Sequence, residues 1–235
     1  MNWFGDAAAW LVDPAHWAGS GGIGVRLGEH LGYALLTLLV ASAIAIPAGL
    51  AIGHTGRGRA FVIPFAGALR ALPTLGLVTL LALAVGIGLL GPLIALVILA
   101  IPPLLAGAYA GVEAVDPLAV DAARASGMTE WQVLVRVEVP LALPLIAGGL
   151  RSACLQVIAT WTVAAWLPLG GLGRFLFDAI PVRDYGRMLA GSILVIVLAL
   201  IADGLLALLQ RAVTPTGVRA ITEGSGTRRA LLTAP

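Results

Sequence analysis

Long apolar stretches alternate with short polar breaks along this chain. Five of the stretches are long enough to cross a bilayer: roughly 31–53, 62–89, 91–111, 145–167 and 188–210. A span takes about 20 residues, because about 30 Å of hydrocarbon is crossed at about 1.5 Å per residue. Lipid offers the backbone no hydrogen-bond partner, so runs of this length must be helical. The pattern predicts an all-α, polytopic membrane protein of about five transmembrane helices. The second run is too long for one straight span and contains Arg70 and Pro73 in "RALPT". Proline removes a donor and kinks a helix. A break is expected there, with 60–70 leaving the cytoplasmic surface and 73–89 completing the crossing. Arg70 at the bilayer centre would cost about 2.5–3.5 kcal/mol, so it either snorkels to the interface or faces the protein interior.

The third and fourth runs are separated by a far more polar stretch, 112–144, which includes "DAARASGMTEWQVLVRVEVP" at 121–140. Asp116-Pro117 is a good helix start, since Asp caps and Pro at the first position loses nothing. Four alanines follow within "LAVDAARAS" and its flanks, and then Gly127 supplies a left-handed helix end. Thr129 and Gln132 have the spacing of a capping box for a second helix, expected to stop near Pro140. The loop therefore reads as a helix, a glycine turn and a second helix. Two readings of it are open: a face that docks into a groove on a partner protein, or a hairpin that packs on its own bundle.

Charge sets the orientation. With the N-terminus outside, Arg57, Arg59, Arg124, Arg136, Arg151, Arg211, Arg219, Arg228 and Arg229 lie inside and Arg26, Arg174, Arg183 and Arg187 outside, nine against four with Arg70 uncounted. The positive-inside bias favours this topology and makes 112–144 cytoplasmic. Residues 1–30 then form an extracytoplasmic segment, 31–210 the membrane domain, and 211–235 a polar, basic cytoplasmic tail expected to be disordered. The start of the chain has no basic leader and is broken by Asp13-Pro14, so no cleavable signal peptide is expected. Trp3, Trp10 and Trp17 suit an interfacial position.

Composition narrows the chemistry. The chain is 60% hydrophobic and 11% charged, with a mean hydropathy of +1.00, and its basic residues are 14 arginines with no lysine. A G-x-x-x-x-G-K-[ST] phosphate loop needs its lysine, so any nucleotide hydrolysis belongs to another subunit. The lone Cys154 excludes a disulfide framework within the chain. His16, His30 and His54 are scattered over loops and span ends, which suggests no metal site, and no nucleophile–base arrangement presents itself. Nothing points to nucleic acid. Within the spans, Asp203 and Gln156 are the main polar residues. Asp203 is either functional or held by a structural partner such as an arginine. Trp161 and Trp166 either hold a cation by their faces or anchor at the interface. Arg70, Pro73, Trp161, Trp166 and Asp203 are the candidates for a pathway or gate. The Gly49–Gly53 and Gly107–Gly111 pairs permit close helix crossing.

The polar loop resembles the signature of the inner-membrane permeases of bacterial ABC importers, E-A-A-x3-G-x9-I-x-L-P. Here Asp121-Ala122-Ala123, Gly127, Val137, Val139 and Pro140 fall at every matching position. The resemblance implies a coupling helix that docks on a separate ATPase, with Asp121, Ala122, Ala123, Gly127, Val137 and Pro140 at the coupling site. It also implies an extracytoplasmic binding protein and a second permease copy or paralogue, set in the inner membrane among its lipids. ATP and magnesium would be used by the ATPase, and no cofactor is expected on this chain. Over about 29–215, "LPTLGL" and "GGLG" are similar to permeases for osmoprotectants such as glycine betaine, choline or carnitine. One departure is "AAWLPLGGLG", where Trp166 and Pro168 replace smaller or aliphatic residues. Permeases for methionine and other amino acids share the five-span core and stand as the alternative. A gradient-driven secondary transporter would call for paired ion-coordinating residues at mid-membrane and an inverted repeat, and neither is evident.

Overall fold

The computed structural model describes residues 2–214; the expected tail beyond 214 lies outside them. Every regular element among these residues is helical: α1 (Trp3–Val12), α2 (Ile23–Thr55), α3 (Arg59–Arg70), α4 (Thr74–Val85), α5 (Leu90–Glu113), α6 (Pro117–Ala125), α7 (Glu130–Val133), a π turn (Leu134–Glu138), α8 (Val139–Ala164), α9 (Arg174–Phe177) and α10 (Tyr185–Val213). Four helical runs are long and apolar enough to cross a membrane, namely α2, α5, Glu130–Ala164 and α10. The bent pair α3–α4 makes a fifth if it is counted as one span.

α5 is the hub, with α2 along one side and α8 along another. Lipid tails are as apolar as leucine, so helices here gain little from leaving lipid and must gain from close contact. The glycine pairs provide it. A Cβ on Gly49 would sit 2.7 Å from the Ala108 Cβ, and one on Gly53 2.7 Å from the Val112 Cβ. On the other side of α5, a Cβ on Gly107 would meet the Gly149 Cα at 2.8 Å, and Gly111 lies against Ala142. The core between these helices holds Val78, Leu96, Leu104, Val157, Ile158 and Trp161. Gln156 reinforces it by donating to the Leu99 carbonyl at 2.9 Å.

The break at "RALPT" is where the proline pattern predicts it. α3 and α4 meet at 85°, with Pro73 capping α4 in an extended conformation.

Two boundaries differ from expectation. α2 begins at Ile23 rather than near residue 31, because its polar first turns are tied to the "GGLG" stretch. Glu29 accepts from the Gly171 N–H at 2.8 Å and pairs with Arg26 at 3.1 Å. Tyr33 donates to the Leu169 carbonyl at 2.8 Å, and the buried His30 ring meets the Ile158 carbonyl at 3.1 Å.

Pro140 does not end its helix either. The helix runs unbroken from Glu130 to Ala164, through the π turn, whose Val139 N–H reaches back to the Leu134 carbonyl. A proline ring clashes with the carbonyl four residues earlier. A widened i→i+5 turn just upstream moves the carbonyls aside and lets the helix pass.

Candidate functional site

The helical hairpin between α5 and α8 is built by local rules. The Asp116 side chain accepts from the Leu118 N–H at 2.9 Å, with Pro117 at the first helical position. Gly127 stands at φ +84°, a conformation open to glycine at little cost, and the chain reverses there. Thr129 and Gln132 form the reciprocal capping box: the Gln132 N–H donates to Thr129 Oγ1 at 3.3 Å and the Thr129 N–H to Gln132 Oε1 at 2.9 Å.

The hairpin has its own small core of Val115, Val120, Ala123 and Val133, closed by Met128 and Val137. Ala123 and Val137 therefore face inward and support the surface rather than form it. Asp121, Ala122 and Gly127 are exposed. Leu118 and Trp131 join them at 76% and 72% exposure. Sequence reasoning missed both. The signal was available: with Val120 and Ala123 turned inward, helical geometry points Leu118 outward, and an outward leucine in a polar loop has no structural task.

Charged groups tie the hairpin together. Arg124 donates in a fork to both oxygens of Glu130, each at 3.0 Å, and lies 3.6 Å from Asp121. That fork holds the Glu130 carboxyl below the usual carboxylate range. His54, in the last turn of α2, reaches in from the membrane domain. Its Nε2 lies 3.2 Å from Glu130 Oε2 and its Nδ1 2.6 Å from Glu138 Oε2. Glu138 is 5% exposed. His30 and His54 are thus engaged with other elements rather than scattered, and no cluster suited to a metal ion exists among the described residues.

The pathway candidates do not converge. Trp161 is 3% exposed, donates to Thr37 Oγ1 at 2.9 Å and tilts against Tyr33 with ring centroids 5.0 Å apart. It is packed in the helical core. Trp166 is exposed and meets Phe177 edge-on. Asp203 has an arginine partner: Arg151 Nε and Nη2 reach its two oxygens at 2.5 and 2.6 Å. The pair joins α8 to α10. Arg70 is exposed at the end of α3, beside a cavity of about 320 Å³ that it lines with Gly67 and Tyr109, while Pro73 forms the elbow itself.

Residues 43–215 match the family of binding-protein-dependent transport system inner membrane components. The chain is 33% identical over 200 residues to the carnitine transport permease protein of Listeria monocytogenes, covering 85% of this chain and 92% of the relative. It is 33% identical to the osmoprotectant import permease protein of Salmonella typhimurium, covering 81% and 91%. A chain from the inward-facing MetNI methionine ABC transporter superposes with a TM-score of 0.72 at 20% identity, covering 81% of this chain and 95% of that one.

Proposed function

The chain belongs to the family of binding-protein-dependent transport system inner membrane components, and we propose that it is the permease of an ATP-driven importer for osmoprotectants of the glycine betaine, choline and carnitine class. The cargo reading rests on the identity to permeases named for carnitine and osmoprotectant transport, which extends over four fifths or more of the chain. The likeness to the methionine transporter, at 20% identity, speaks for the fold and not for the cargo. The observation that carries the coupling role is the hairpin surface. Small residues Ala122 and Gly127 permit close approach, Leu118 and Trp131 offer apolar anchors, and Asp121 gives a charge at the edge.

In this reading a separate ATPase receives α6 in a groove, with the N-terminus of the chain outside and the hairpin in the cytoplasm. ATP-driven approach of two such grooves moves two hairpins together. The continuous helix Glu130–Ala164 passes that motion into the membrane, and a second permease copy or paralogue completes the path. A binding protein delivers cargo from the other side, and the cationic head of the cargo is selected there. The test is uptake of labelled glycine betaine by cells lacking osmolyte importers and supplied with this chain, its ATPase and its binding protein. Uptake is expected, and Gly127→Val is expected to abolish it together with ATPase association, because a β-branched residue at φ +84° costs the turn. Assembly without uptake of any osmoprotectant would overturn the cargo assignment; unaltered assembly in Gly127→Val would overturn the role of the hairpin.

A further inference from the structure

The hairpin is joined to α5 and α8 by the chain itself, since α5 leads into α6 and α7 runs on into α8. α2 has no such link. It packs along α5 and α8, and its Gly49 and Gly53 lie flush on α5, and its polar contact with the hairpin among the described residues is made by His54 in its last turn. We propose that His54 is a positioning residue that clasps α2 to the hairpin, so that a displacement of α6 is delivered to the first span as well as to α8. The proposal rests on the coupling role of the hairpin given above.

Three observations carry it. First, one imidazole meets two carboxylates that belong to different parts of the hairpin: Glu138 on the π turn at 2.6 Å and Glu130 at the start of α7 at 3.2 Å. Carboxylates only accept, and the two ring nitrogens of His54 face one carboxylate each. The end of a helix, with its outward carbonyls, is a favourable place for such a donor.

Second, the clasp is enclosed at the membrane end and open at the other. His54 and Glu138 side chains are 12% and 6% exposed, whereas Glu130 is 61% exposed. His54 is the one hydrogen-bond partner of the Glu138 carboxylate among the described residues. Without it the Glu138 carboxylate keeps no partner from α2.

Third, the charges continue outward without a gap. Glu130 is forked by Arg124, and Arg124 lies beside Asp121, one of the exposed residues of the docking face. A push on that face therefore passes from Asp121 and Arg124 through Glu130 to His54 and α2. Among the described residues the other charged pair near this end of α2 is Arg59 with Glu113 at 2.6 Å, which ties α3 to the end of α5.

The test compares the complex of this chain with its ATPase and binding protein in its unmodified form and with His54→Ala. Three quantities are read: co-purification of the ATPase, ATP hydrolysis, and cargo taken up per ATP hydrolysed. Assembly and hydrolysis are expected within about twofold of the unmodified complex, while cargo per ATP falls about tenfold, the scale of one lost charge-assisted hydrogen bond. His54→Gln combined with Glu138→Gln puts two amides in place of the imidazole and the carboxylate. It is expected to recover part of the lost coupling relative to His54→Gln alone, and it serves also if His54→Ala fails to insert. An unchanged ratio of cargo to ATP in His54→Ala, or no recovery in the double variant, would overturn the clasp while leaving the importer intact. Failure of the unmodified complex to assemble or transport would overturn the importer reading itself, and with it the clasp.

Discussion

Gly170 and Gly19 share nearly the same left-handed backbone, at φ +96° and +84°, yet they answer to different forces. A Cβ on Gly19 meets open space, whereas one on Gly170 runs into the Glu29 carboxylate. That carboxylate cannot swing away freely, because it holds the Gly171 N–H and Arg26. Gly19→Ala is therefore expected to cost about 1 kcal/mol for its backbone alone, and Gly170→Ala about 3 kcal/mol once crowding is added. Thermal unfolding of the two variants in detergent checks the order, and equal midpoints would show that the Glu29 contact is unimportant. At this scale the sequence marked the right places for partial reasons. "GGLG" stood out as a family likeness, but its physical role depends on Glu29, which binds the Gly171 N–H, and His30, which packs against Gly171, both well over a hundred residues away. Asp203 likewise required Arg151, 52 positions earlier. A local reading sees a charge in an apolar run and can name the type of partner, not the residue.

Helices were legible wherever one or two residues decide their ends. Asp116-Pro117, Gly127, the Thr129–Gln132 box and the elbow before Pro73 all appear as the pattern predicts. The passage of the helix through Pro140 was not legible, because the proline rule considers one ring and one carbonyl, and the remedy lies in the turn before it. That turn has a consequence for the hairpin. A π turn is one residue more than an α-helix needs, so deleting Val135 should convert Leu134–Glu138 to α-helix. Residues from Arg136 onward keep their place in the bundle, while everything before is rotated by about 100°. Glu138 then stays with His54 and Glu130 turns away. The expected result is a folded protein with near-normal melting that no longer binds its ATPase. Retained binding would show that the hairpin does not need its present angle to the membrane domain.

The whole molecule is an assembly of helices of very unequal length. α2 has 33 residues and α4 has 12, or about 50 Å against about 18 Å of helix. Only the first can cross about 30 Å of hydrocarbon unaided. α3 lies at 85° to α4 and so adds almost nothing to its length along the crossing, and the backbone at 71–73 between them is not helical. Non-helical backbone is tolerated at such depth only where protein or water meets it. A cysteine replacing Leu72, with Cys154 changed to Ala, should react with a membrane-impermeant maleimide. One replacing the outward-facing Leu200 of α10 should stay unlabelled; equal reactivity at both sites would mean that the elbow is no wetter than the lipid face. A crossing of only 12 residues puts less apolar protein between the two aqueous faces than a full span would. For a cargo fully dissolved in water, that is the side of the permease with the least oil-like material to pass.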